Sequence, residues 1–285
     1  MKTLICINTC RRSSAIKAMV WDYIKFVQSN PNYEFIVSLD GNDSETIDYC
    51  ENFNIPLIYS EENEGVGLSK NRVLKSFPNF NYYFFIEDDV ELLNPDIFDI
   101  HIKLSLQSGI QHFSLFPRER LCELREETKM NNFTIIHSMY GSAQVNFFTN
   151  EGLQKVGGFH DEFAKYKRFG HTEHTYRFVN VGLAKYPFNI ISECIDDYFG
   201  WNDPISVTKI KVETTTNRLF TGEETLIRNK LSHYPLKTLS SYHLTNTLES
   251  KSIVIDRFAW LYKLRFQLQM NLLNNLRKIK RILHG

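Results

Sequence analysis

Several features are missing from this sequence, and each absence narrows what the chain can be. No apolar run approaches the roughly 20 residues that a membrane span requires. The opening MKTLICINTC carries one Lys and a very short apolar stretch before Arg11 and Arg12, too short for a signal peptide. The cysteines are few and odd in number (Cys6, Cys10, Cys50, Cys122 and Cys194), scattered and without a C-x-x-C pair. That pattern excludes a disulfide framework or a zinc knuckle and is expected of a reducing, cytoplasmic setting. Internal repeats and low-complexity linkers are absent. Net charge is also absent, since 33 basic residues balance 33 acidic ones. The balance hides an asymmetry: residues 251–285 hold eight Lys and Arg against Asp256 alone, so this segment carries +7 and the remainder −7. Basic charge confined to a tail, with no aromatic-interleaved sheet face, is not the footprint of a nucleic-acid binder.

What is present suits a globular fold: 285 residues with 42% hydrophobic composition are ample for a core. The first half alternates short apolar runs with helical patterns, the signature of βα units around a mainly parallel sheet. Strands are expected at Thr3–Asn8, Glu34–Leu39, Pro56–Tyr59 and Tyr82–Glu87, with helices at Ser13–Val27, Ser44–Phe53 and Val66–Phe77. Further on, the pattern predicts strands at His112–Phe116 and Ala143–Thr149, a turn at Gly157-Gly158 and a helix from Thr172 to Val181. From Ile253 onward, Phe258, Leu261, Leu264, Leu268, Leu272, Leu276, Ile279 and Leu283 fall at spacings of three and four, a long amphipathic helix. Segments 117–145 and 200–250 carry no readable motif. The expected division is a nucleotide-binding half (1–110), an acceptor half (111–215) and a helical extension (216–285).

In open α/β sheets, ligands sit beyond the carboxyl ends of the strands. Three loops leave those ends with polar residues: Asn8-Thr9-Cys10-Arg11-Arg12, Asp40-Gly41-Asn42-Asp43 and Glu87-Asp88-Asp89. The last stands in YYFFIEDDVELLNPD, where an apolar strand delivers three consecutive acids. Adjacent carboxylates repel unless a cation is near, and hard oxygen donors of this kind suit Mg²⁺ or Mn²⁺ shared with a substrate diphosphate. A solvated acidic turn ahead of a helix explains the same triplet.

With its neighbours, the triplet resembles the family 2-like glycosyltransferases, whose GT-A fold is a Rossmann-like, mainly parallel sheet flanked by helices. Glu87-Asp88-Asp89 resembles the E-D-D form of that family's D-x-D motif. The resemblance implies direct metal ligation by Asp89, with Glu87 and Asp88 nearer the ribose or donor sugar. NTCRR resembles the loop that embraces the nucleotide, which implies contacts from Thr9 and Arg11. LDGND resembles the D-D-G-S-x-D segment; its first acid is replaced by Leu39, leaving Asp40 to meet the base. GVGLSKNRVL resembles G-x-x-x-A-R-N-x-G-L, with Lys70 in place of the arginine and Asn71 in place of the asparagine.

In the second half, VGGFHDEFAKYKRFGHTEHTYRFVNVGL resembles G-G-F-D-E-x-F followed by the family's E-D-x-D/E-x-x-x-R helix. Registering Arg177 on the family's arginine puts Gly170 and His171 at the E-D pair and Glu173 at the next acid. An inverting transfer needs a base within hydrogen-bond reach of the acceptor hydroxyl. Glu173 is favoured for that role because carboxylates dominate this chemistry in the family. His171 is the other candidate, since a neutral imidazole accepts a proton near pH 7. A polar helix cap built from His171, Glu173 and His174 is the bland reading of the same residues. His243, in SSYHLTN, is a weaker candidate for a metal or diphosphate contact.

The resemblance thus implies metal-dependent, inverting transfer of a hexose or related sugar from a nucleotide diphosphate-sugar to a glycan or lipid-linked acceptor. Two rivals stand beside it. A catalytically silent glycan-binding protein of the same fold is kept open by the irregular GHTEH segment. A sugar-phosphate nucleotidyltransferase would need a Gly-rich phosphate loop, and NTCRRSSA contains no glycine. The C-terminal helix, with Arg277, Lys278, Lys280 and Arg281 beside Trp260, Tyr262 and Phe266, fits two partners: the inner face of an anionic membrane, or the catalytic domain or a second subunit.

Overall fold

The computed structural model describes residues 1–166, 168–202 and 221–284. The chain opens with β1 (Thr3–Thr9), α1 (Ser13–Ser29), β2 (Tyr33–Leu39), α2 (Ser44–Asn52), β3 (Leu57–Ser60), α3 (Val66–Ser76), β4 (Tyr82–Glu87) and β5 (Val90–Leu92). It continues through α4 (Asp96–Ser108), β6 (His112–Leu115), β7 (Cys122–Met130), β8 (Phe133–Tyr140), β9 (Val145–Thr149), α5 (Asn150–Val156), α6 (Asp161–Tyr166) and α7 (Gly170–Asn180). The remaining elements are β10 (Phe188–Ile191), α8 (Cys194–Asp197), β11 (Phe199–Trp201), α9 (Gly222–Lys230), β12 (Tyr242–Thr245) and α10 (Ala259–His284).

The main sheet has seven strands in the order β12-β3-β2-β1-β4-β9-β6. Strands β3, β2, β1 and β4 run parallel, β9 runs antiparallel between β4 and β6, and β12 closes the far edge antiparallel to β3. Successive side chains on a strand face opposite sides, and a sheet covered on both faces is apolar at nearly every position. Ile5, Ile7, Phe35, Val37, Phe84 and Ile86 therefore pack with Ile16, Val20 and Ile24 of α1 on one face. Leu4, Cys6, Ile36, Tyr83 and Phe85 pack with Val73 and Leu74 of α3 and Phe178 of α7 on the other. The expected strands and helices of the first half are observed, with ends shifted by one or two residues.

Several elements have no counterpart in the expectations, strands β7, β8 and β12 among them. Strands β7 and β8 form a hairpin that joins β10 in a three-stranded sheet, and β12 lies inside the region expected to be a helical extension. The expected boundary at residue 215 lies outside the described residues.

Helix α10 packs on α1, where the small side chains of Ala15 and Ala18 let Phe266 and Met270 approach. Lys263 fastens the contact with ion pairs to Asp22 and Glu91, both at 2.7 Å. The Gly157-Gly158 turn accepts the segment around Tyr234 by backbone contact alone: Gly158 N donates to Tyr234 O at 2.9 Å, and Tyr234 N donates to Val156 O at 3.0 Å. Gly157 has φ 75°, and a Cβ there would lie 1.8 Å from the Tyr234 carbonyl oxygen, so only glycine fits.

Candidate active site

Register brings the three polar loops together. Thr9 is level with Leu39 across β1 and β2, and Asn8 is level with Glu87 across β1 and β4. The residues that follow these strands therefore emerge side by side at one edge. Thr9 Oγ1 donates to Asp88 Oδ2 at 2.5 Å. Arg12 Nη1 lies 2.7 Å from Asp88 Oδ1, and its Nη2 lies 3.4 Å from Asp89 Oδ2. Asp88 and Asp89 are both buried. Burial pushes the Asp88 carboxyl up, with the Arg12 guanidinium opposing. Glu87 is partly buried; burial and the charge of Asp89 push it up, and Lys70 opposes.

One guanidinium thus bridges the two aspartates and offsets part of their charge. The expected nucleotide contact, Arg11, is instead exposed, with a left-handed φ of 52°. It is Arg12 whose side chain turns back onto the acids. Among the described residues, no group of three or more His, Cys, Asp or Glu side chains could hold a metal. Asp88 and Asp89 nevertheless match the donor set of Mg²⁺ or Mn²⁺ sites, in which one or two carboxylates share the ion with substrate phosphates and water.

Asp40 follows β2 at the same edge. Its Oδ1 accepts from Glu64 N at 3.0 Å and from Arg72 Nη2 at 3.3 Å, and its Oδ2 accepts from Gly65 N at 2.7 Å. Arg72 is fully buried and also donates to Glu64 Oε2 at 2.6 Å and to Leu39 O at 3.2 Å. Asp40 and Arg72 together shape the loop between β3 and α3. Burial pushes the Asp40 carboxyl up, while two backbone donors and Arg72 oppose it.

Lys70 and Asn71, adjacent in sequence, do different things. Lys70 is buried, with its Nζ 5.7 Å from the Phe85 ring centroid and 5.3 Å from that of Phe159. Burial pushes its ammonium down, with the charge of Glu87 opposing. Burial, and after it the charge of this ammonium, depress His171 of α7. Asn71 reaches no solvent: its Oδ1 accepts from Phe159 N at 2.7 Å, and its Nδ2 donates to Phe159 O at 2.8 Å and Lys237 O at 2.9 Å. It staples α3 to two loops.

The start of α7 separates the two expected bases. Glu173 and Arg177 have no exposed surface. Arg177 Nε lies 2.8 Å from Glu173 Oε1, its Nη2 donates to Glu173 Oε2 at 2.9 Å, and its Nη1 donates to Val156 O at 2.6 Å. Glu173, the favoured candidate for the base, is thus engaged by Arg177 inside the core. His174 is also internal, stacked on Phe159 at 4.1 Å with its Nε2 3.0 Å from Gly157 O.

His171 is partly buried and differs from both. Asn146 Nδ2 donates to Ala143 O at 2.7 Å, which turns Asn146 Oδ1 toward His171 Nδ1 at 3.2 Å. An Nδ1–H donated to that oxygen leaves the lone pair on Nε2. Nε2 has no hydrogen-bond partner in the structure. Burial holds the imidazole well below its usual range, hence neutral. Gln144 completes this side: its carbonyl accepts from Glu87 N at 2.8 Å, and its buried Oε1 has no partner in the structure. His243 is remote in role, exposed on edge strand β12, stacked on Tyr59 and paired with Glu61 at 3.1 Å.

Sequence reasoning passed over Arg72, Gln144 and Asn146. An asparagine inside the apolar strand VNFFT was a usable signal, because a buried amide needs partners.

This architecture is the GT-A fold, a mainly parallel sheet with its polar loops gathered at one edge. No protein-family model matches the chain. Among curated proteins, the chain is similar to an uncharacterised glycosyltransferase of Acanthamoeba polyphaga mimivirus, 27% identical over 135 residues that cover 45% of this chain and 52% of that protein. The chain therefore spans about half the length of the curated relative it matches. Among solved structures, it is similar to S. aureus TarS residues 1–349 in complex with UDP, with TM-score 0.53 and 16% identity over 70% of this chain and 60% of that one. Another S. aureus TarS structure matches with TM-score 0.51 and 16% identity, covering 70% of this chain and 36% of that one. The resemblance to GT-A glycosyltransferases holds in sequence and in fold.

Proposed function

We propose that the protein is a metal-dependent, inverting glycosyltransferase that moves a hexose or related sugar from a nucleotide diphosphate-sugar to a glycan or lipid-linked acceptor. The observation that carries this reading is the convergence of Thr9, Arg12, Asp88 and Asp89 at the sheet edge. The curated relative's description as a glycosyltransferase and the UDP in the TarS complex support it.

Asp89, with Asp88, would hold Mg²⁺ or Mn²⁺, and the ion when bound supplies neutralisation of charge on the departing diphosphate. Thr9 orients Asp88. Arg12, now on the acids, has the length and charge to engage the diphosphate instead. Asp40 and the loop it fixes border the base, and Glu87 and Lys70 border the donor sugar. His171 Nε2 takes the proton from the acceptor hydroxyl as that oxygen attacks the anomeric carbon from the face opposite the diphosphate. Asn146 holds the imidazole in the tautomer this step needs.

The replacement of an E-D pair by Gly170-His171, together with the internal use of Glu173, favours a second reading, a silent glycan-binding protein. One experiment decides between them. Nucleotide sugars are screened for transfer or hydrolysis with Mn²⁺, with chelator and with the Asp89→Ala variant. Turnover lost in both controls supports the enzyme; binding without turnover in any donor supports the silent protein.

A further inference from the structure

Helix α10 has two apolar faces, and only one of them is used. Tyr262, Phe266, Met270 and Leu273 turn inward toward α1 and its surroundings. On the other side, Leu264, Leu268 and Leu272 repeat every four residues with exposures of 48, 61 and 62%, and Trp260 (62%) and Leu276 (53%) lie at the two flanks of this face because the repeat drifts by about 40° per step. Leu261 widens this stripe, and Val254, Ile255 and Phe258 extend it ahead of the helix, all exposed. At about 1.5 Å per residue, the stripe from Trp260 to Leu276 is roughly 24 Å long. Half of the large hydrophobic side chains exposed among the described residues lie in this one stretch, whereas isolated exposed leucines need no explanation.

We infer that this face docks on an anionic lipid surface. The choice of occupant follows from charge. Residues 251–285 carry eight basic residues against one acid, for a net +7. A second copy of the same segment would bring +7 against +7, whereas an anionic bilayer complements it. Arg277, Lys278, Lys280 and Arg281 belong to this total, although their side chains lie outside the described residues. No described helix is long and apolar enough to cross a membrane. A helix with one packed face and one free apolar face lies in the interface plane, with its leucines among the acyl chains.

The placement of α10 gives the docking a purpose. Phe266 and Met270 pack on Ala15, the third residue of α1, and Arg12 immediately precedes that helix. Lys263 pairs with Glu91, two residues beyond Asp89. A bilayer against the outer face of α10 would therefore run alongside the acidic edge. If the proposed function holds, the acceptor is borne by that bilayer; this last step rests on that reading, and the docking does not.

The test is flotation of the full chain with phosphatidylcholine vesicles, with and without phosphatidylglycerol, at low and high salt. The expected result is at least about tenfold tighter binding to the anionic vesicles, weakened by salt. The triple variant Leu264→Ser, Leu268→Ser, Leu272→Ser should lose that binding and keep the parent's thermal midpoint, because all three side chains are exposed. Equal binding to both vesicle types, or undiminished binding by the triple variant, overturns the inference. So does a dimer in sedimentation equilibrium that the triple variant abolishes while vesicle binding is absent, which would give the face to a second copy. None of these readouts depends on sugar transfer, so failure here and failure of the proposed activity are separable.

Discussion

The two sides of the site use buried charge in opposite ways. At the acidic edge, Asp88 and Asp89 lie buried against the guanidinium of Arg12, which comes from the loop ahead of α1. On α7, Glu173 and Arg177 are matched one to one inside the core, four residues apart on the same helix. The first arrangement shares one guanidinium between two carboxylates. The second is a closed pair, and beside it the buried Nε2 of His171 has no hydrogen-bond partner in the structure. Burial alone therefore does not mark a functional acid; the two cases differ in how their charges are matched.

Substitutions can break this contrast. The largest effect is expected from Asp89→Ala, a loss of transfer of about a thousandfold or more, with chelation mimicking it in the parent. Steady-state rates with a donor identified by screening check this, and near-normal turnover would remove the acidic edge from the mechanism. His171→Asn should lower kcat by about a hundredfold to a thousandfold while donor affinity is kept. Asn146→Leu, which frees the ring tautomer, should shift the pH profile of kcat as well.

Glu173→Gln should act on stability instead, because it strands the buried Arg177 charge at a cost of about 3–5 kcal/mol. Urea unfolding measures this. A variant as stable as the parent but without activity would return Glu173 to the reaction.

A smaller effect is expected from buried histidines that take no part in the reaction. His101, ringed by Phe84, Phe113 and Phe147, is held by burial at about 4, below its usual 6.5. The unfolded chain therefore takes up the proton first. Stability from this group is complete above its unfolded value and declines as the pH falls from about 6.5 towards about 4. The decline amounts to about 3 kcal/mol at most. His101→Leu should flatten the fall in urea midpoint over that range, and an unchanged slope would refute the assignment. The smallest effect is expected from Arg11→Ala, within about twofold of the parent in rate and about 0.5 kcal/mol in stability. Arg12→Ala, by contrast, should impair donor binding.

Most of the main sheet was legible because each strand is an apolar run closed by a polar residue, as in YYFFIE followed by Asp88-Asp89. The β7–β8 hairpin was not. Strand β7, ELREETKM after Cys122, is charged and largely exposed, so it presents no apolar pattern. Strand β12 is four residues long and half exposed, and its sheet partner β3 lies some 180 residues earlier. Within the site, the acids were legible from their place after β4. Which of two adjacent arginines turns inward depends on the left-handed backbone at Arg11, which no residue type announces. The Glu173–Arg177 pair was readable as an (i, i+4) spacing, but its burial comes from packing against α5 and the Tyr234 segment. That packing is tertiary information.

The closure of the sheet by β12 also bears on how the chain is made. Strand β3 ends at Ser60, but its partner β12 ends only at Thr245, and the residues of α10 that cover Ala15 and Ala18 come later still. At about 5–20 residues per second, the ribosome leaves that edge and the flank of α1 uncovered for roughly ten to forty seconds. During that interval a nascent chain has an open strand edge and an apolar helix surface available to chaperones.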